Sequence, residues 1–185
     1  MRALTSPRSR SFVATLLLAL PTACTVGRVH TRDSVLEQNF VRNEPRFERL
    51  VADLRSDAKL ELMDETELRY GGVSFNAGSG VADLDERGFS TDRWNHYRTL
   101  LRTTGVKRAI RGDRGEIELE FDQASIWNGS SYKGYWYSAS PPPGHSRTEL
   151  DDYRLSKQDL SPNGGYFLYK AIKPNWYLYL FVDGH

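Results

Sequence analysis

"NGGYFLYKAIKPNWYLYLFVDGH" (residues 163–185) holds two alternating runs, "GYFLYKAI" and "WYLYLFV", separated by "KPN". Side chains on a strand point alternately to opposite faces, so a period of two marks β-structure, and a short polar break between two such runs predicts a hairpin. In the last run Trp176, Leu178 and Leu180 form the drier set, expected to face a core. Tyr177, Tyr179 and Phe181 form the other set, and it is unusually apolar for a wet face. Upstream, "EIELEF" (residues 116–121) alternates Ile117, Leu119 and Phe121 with Glu116, Glu118 and Glu120. Asn128-Gly129 is a strong turn pair, and "SYKGYWYSA" returns as the partner strand. Pro141, Pro142 and Pro143 end it, because proline cannot donate to a ladder. Residues 144–164 read as a long polar excursion.

The first half of the domain reads as helical. Phe47, Leu50, Val51 and Leu54 recur at spacings of three and four, the stripe of an amphipathic helix. Ser34 with Glu37 fits a capping box before Leu36 and Phe40, and Asn43 with Pro45 suggests that a second helix restarts there. A further helix is expected from Ser90–Thr91, with Trp94, Tyr97 and Leu101 on one face and Gly105 as a left-handed terminator. The expected fold is therefore α+β: helices on one face of a four-stranded antiparallel meander, a shape reminiscent of cystatin-like or NTF2-like sheets by analogy only.

The 185 residues are 39% hydrophobic and 26% charged, in keeping with one domain. Net charge is +1, and without Arg2, Arg8 and Arg10 the remainder carries about −2. No basic stripe is present, so nucleic acid is not an expected partner.

The opening "MRALTSPRSRSFVATLLLALPTACT" has three arginines, an apolar stretch over residues 12–20, and small residues before Cys24. That is the layout of a secretory signal, and the apolar stretch is too short to span a bilayer. Cys24 is the sole cysteine, so no internal disulfide can form. The segment resembles the signal of bacterial lipoproteins, with Pro21 where that family usually has Leu. The resemblance covers residues 1–25. It implies a signal peptide at 1–23, a lipidated Cys24, a tether over 24–33 and a single domain at 34–185. Thr25, rather than Asp, after the cysteine implies the outer membrane, with the domain facing the periplasm. Ordinary cleavage and a soluble periplasmic protein is the alternative.

No catalytic signature emerges, and no cofactor or metal is expected. His30, His96, His145 and His185 are scattered, and "GSG" lacks the Lys-Ser/Thr of a phosphate loop. Asp83, Asp85 and Gly88 begin like a calcium loop, but Arg87 and Trp94 occupy ligand positions. A hydrolase using His145, Asp151 and Asp152 is the weaker functional reading. The stronger is a non-catalytic binding or accessory module, contacting an envelope protein or glycan through an outer face built from Lys133, Tyr135, Tyr137, Tyr169, Tyr177 and Tyr179. Two structural alternatives stand beside it: plain β-propensity of tyrosine, and burial of this face under the long loop.

Overall fold

A computed structural model describes residues 30–77, 81–126, 129–151 and 165–183. Cys24 and the expected signal segment lie outside these residues, as do Asp152 and the rest of the polar excursion up to residue 164.

Helix α1 (Asp33–Ser56) is one continuous helix, not two. Pro45 sits inside it on the solvent side, where the Val41 carbonyl that loses its donor is on an exposed turn. The expected capping box is also replaced. Arg32 occupies the N-cap without a side-chain bond, and the orphan Asp33 N–H donates to the carboxylate of Asp151 at 3.0 Å. The cap is thus supplied by a residue far along the chain. Helix α2 (Val81–Glu86) is short and contains Asp83 and Asp85, so the calcium-like stretch is helical up to the turn at Gly88. Helix α3 (Thr91–Thr104) begins and ends as its sequence requires. Ser90 Oγ accepts the Arg93 N–H at 3.2 Å, and Gly105 closes the helix at φ 74°.

Among the described residues the sheet has nine strands rather than four: β1 (Leu60–Asp64), β2 (Glu67–Tyr70), β3 (Val73–Asn76), β4 (Arg108–Arg111), β5 (Ile117–Ile126), β6 (Gly129–Tyr137), β7 (His145–Ser146), β8 (Gly165–Lys173) and β9 (Trp176–Asp183). Their order is β3-β2-β1-β4-β5-β6-β9-β8-β7. All pairs are antiparallel except β7 with β8. The two expected hairpins, β5–β6 and β8–β9, form the C-terminal half. The other half comes from β4 and from "LELMDETELRYGGVSFN", whose strands are only four or five residues long, with β2 and β3 joined at Gly71-Gly72, both at positive φ.

The helices cover one face. Met63, Ala109, Leu119, Tyr135 and Leu178 form a register-matched row across β1, β4, β5, β6 and β9, and all are buried. Phe47 of α1 packs on Tyr135 at 4.6 Å between ring centroids, and Phe40 on Trp176 at 4.9 Å. Phe89 links Tyr70 of β2 to Tyr97 of α3.

The chain docks before its first helix begins. His30 is buried, with its Nε2 2.7 Å from Ser131 Oγ, and Thr31 donates twice to Asp122. Residues 30–33, expected as tether, are therefore part of the folded body.

Candidate functional site

The register of β6 against β9 decides which residues share a face. Tyr135 pairs with Leu178, Tyr137 with Trp176 and Lys133 with Leu180. Direct partners point the same way, so Lys133, Tyr135 and Tyr137 lie on the helix-covered side, not on the outer face expected for them. Tyr135 is wholly buried; its hydroxyl donates to the Leu36 carbonyl at 2.9 Å and accepts from Asn39 at 3.0 Å. Burial holds its ionisation well above the ordinary range. Tyr137 is half-buried against Trp176, with the Arg55 guanidinium over its ring.

Lys133 is fully buried. Its Nζ lies 2.7 Å from Asp33 Oδ1 and 2.6 Å from Asp151 Oδ1. Lys170 extends the network, at 2.8 Å from Glu37 and 3.4 Å from Glu149. The carboxylates of Asp33, Glu149 and Asp151 are close enough together to suit a metal ion, but the Lys133 ammonium already fills that role between two of them. Asp151, offered by the hydrolase reading, is committed to this network. Its pKa is lowered: burial pushes it up, but bonds from Lys133 and the Asp33 N–H outweigh burial. His145 sits half-buried on β7, paired with β8.

Tyr169, Tyr177 and Tyr179 do lie on the face away from α1 and α3. Two register-matched rows define that face. One runs Asp64, Arg108, Glu120, Gly134, Tyr179, Tyr169; the other runs Leu62, Ile110, Glu118, Trp136, Tyr177, Ala171. The aromatic residues of β6, β8 and β9 interlock. Phe167 stacks on Tyr179 at 5.5 Å and meets Trp136 edge-on at 5.4 Å, Tyr132 stacks on Phe181, and Tyr169 meets Tyr177 edge-on at 5.7 Å. Tyr179 is wholly buried, whereas Phe167, Tyr169, Tyr177 and Phe181 are half-buried. Trp136, Phe167 and Tyr132 escaped the sequence reading. The alternate set of β6, namely Tyr132, Gly134 and Trp136, is the signal for the first and last of these, and the spacing of two between Phe167 and Tyr169 on β8 is the signal for Phe167.

The face becomes charged toward β1. At the rim of the sheet there, beside the end of α3, a cleft of about 430 Å³ opens, lined by Asp64, Arg102, Lys107, Arg108, Glu120 and Asp122. Arg108 reaches Asp64 at 3.2 Å and Glu120 at 3.9 Å. Burial raises the Glu120 pKa, opposed by Arg108 and reinforced by Asp64. In Asp64 the balance reverses: burial is outweighed by bonds from the Thr66 and Glu67 N–H groups, the Thr66 hydroxyl and Arg108, and the pKa falls. Glu118 sits where the aromatic and charged parts meet. Burial lifts its pKa to about 7, the Tyr179 hydroxyl acts the other way, and the Glu120 charge adds to the rise. The face thus joins flat apolar rings to carboxylates of differing proton affinity.

Comparison with known proteins finds no match to a family, to a curated protein or to a solved structure. Among the described residues, no helix is long and apolar enough to cross a membrane.

Proposed function

We propose that this chain is a lipid-anchored protein of the bacterial envelope, fastened to the outer membrane through Cys24, that binds an envelope glycan without catalysis. The contact surface is the outer face of β5, β6, β9 and β8. The observation that carries this reading is the cluster of half-buried rings, Phe167, Tyr169, Tyr177 and Phe181, laid over the buried Trp136 beside Glu118. Aromatic faces offer broad, rigid apolar area to the C–H faces of sugar rings, and adjacent carboxylates accept hydroxyl hydrogen bonds.

The test is co-sedimentation of the folded protein with purified cell-wall glycan and with outer-membrane polysaccharide. Wild type should co-sediment with one of them, and the double change Tyr169→Ala, Tyr177→Ala should weaken binding by about fivefold or more, from ~0.5–1.5 kcal/mol per lost ring contact. Absence of glycan binding by a folded wild type overturns the ligand assignment. The anchor is tested separately by palmitate labelling of cells carrying wild type or Cys24→Ser; equal labelling of the two defeats that part.

A further inference from the structure

The Lys133 cluster has a geometry that an ordinary ion pair does not require. The Lys133 and Asp33 side chains are each only 1% exposed, and their Nζ and Oδ1 atoms stand 2.7 Å apart. At that distance the contact still lies outside hydrogen-bond geometry, and Asp33 Oδ1 has no hydrogen-bond partner. The other oxygen, Oδ2, accepts the Leu150 N–H at 2.8 Å and faces Lys170 Nζ at 3.8 Å. Asp151 accepts a hydrogen bond from Lys133 at 2.6 Å while holding the Asp33 N–H. Leu36, Leu150, Leu168 and Leu180 are all buried, the last pairing with Lys133 across the sheet. A nucleophile and a carboxyl carbon with one oxygen held by donors thus meet in a dry enclosure, and a carboxylate that can carry protons, Asp151, stands at its edge, 26% exposed.

We infer that Lys133 and Asp33 become joined by an amide between Nζ and Cγ, formed by the folded chain itself with Asp151 carrying the protons. The ammonium passes one proton through Asp151 to Asp33 Oδ1, and the freed Nζ lone pair attacks Cγ. Negative charge gathers on Oδ2, where the Leu150 N–H and the Lys170 ammonium stabilise it. A second Nζ proton follows through Asp151, the Cγ–Oδ1 bond breaks, and Oδ1 leaves as water. The third proton remains on the amide nitrogen. Atoms and charge balance with no co-reactant.

Two physical effects favour the product. Held reactants behave as though at very high local concentration. The amide also removes a buried cation and a buried anion, whose desolvation is costly. The bond ties the first residue of α1 to the middle of the sheet, closing a loop of about a hundred residues and restricting the unfolded chain much as a disulfide would. Lys170 and Lys173 lie as close to Glu37 and Glu44, but their side chains are 18% and 39% exposed, and water keeps them as ion pairs. The inference is independent of any glycan binding.

The experiment is tryptic mapping of the full-length chain after denaturation, with circular dichroism establishing beforehand that it was folded. The expected product is a branched species joining residues 33–42 to residues 115–147, lighter by one water than its two parts, with Lys133 uncleaved. Asp151→Asn should retain the helical spectrum and slow formation of the branched species by tenfold or more, and Asp151→Glu should restore it. Separate linear peptides from a folded wild type, with cleavage after Lys133, overturn the inference. Unchanged cross-linking in Asp151→Asn overturns the role of Asp151.

Discussion

Replacing Glu118 with Gln converts a local electrostatic feature into a measurable dependence on pH. The folded state holds the Glu118 proton up to about pH 7, against an ordinary value of 4.5, chiefly because its half-buried side chain is desolvated beside Trp136 and Tyr179. Below pH 4.5 both folded and unfolded chains carry the proton, and the site is neutral to stability. Between 4.5 and 7 the unfolded chain ionises while the folded one does not, so stability falls as pH rises. Above 7 both are ionised and the loss is complete. At ~1.4 kcal/mol per pH unit over that span, the site costs up to ~3 kcal/mol at pH 8. Gln keeps the shape and cannot ionise. The expected result is a stability difference between Glu118→Gln and wild type that is smallest at pH 4.5 and grows by ~3 kcal/mol in favour of the variant by pH 8. Urea denaturation followed by tryptophan fluorescence from pH 4.5 to 8 measures it. A constant offset at all pH values would come from the amide itself; a difference that does not change with pH refutes the reasoning. The lowered values of Asp64 and Asp122 act in a separate, more acidic window, where stability is lost as pH falls.

Two further changes probe the frame around the face. Gly105→Ala forces a side chain at φ 74° and sets its Cβ 2.8 Å from the Phe121 ring; a loss of about 2–3 kcal/mol is expected, seen as a melting point lower by roughly 5–10 °C in calorimetry. Ser90→Ala removes the acceptor for the Arg93 N–H, so chemical denaturation should show about 1 kcal/mol lost, with Ser90→Asp close to wild type.

What could be read from the sequence was what local chemistry dictates. Ser90 and Gly105 bracket α3 because capping needs only residues within a few positions. The β5–β6 and β8–β9 hairpins declare themselves by period and turn residues. Strands β1 and β2 do not, because four- and five-residue runs rich in Leu, Met and Glu suit helix and strand alike. The face assignment of β6 failed for a different reason. Lys133 looks like a surface residue until Asp33 and Asp151 close on it from a hundred residues upstream and eighteen downstream. Once β6 is registered against β9, Tyr135 and Tyr137 follow Lys133 inward, and Trp136 takes the outward position. Likewise the cap of α1 comes from Asp151, which no window around Ser34 could reveal.

The placement of α1 has a consequence for biosynthesis. Phe40 and Phe47 emerge early from the ribosome, yet the surfaces they rest on belong to Tyr135 and Trp176. Until the final strand has been synthesised, this first helix has an apolar stripe and no floor beneath it. The chain must therefore be synthesised through β9 before its interior can close.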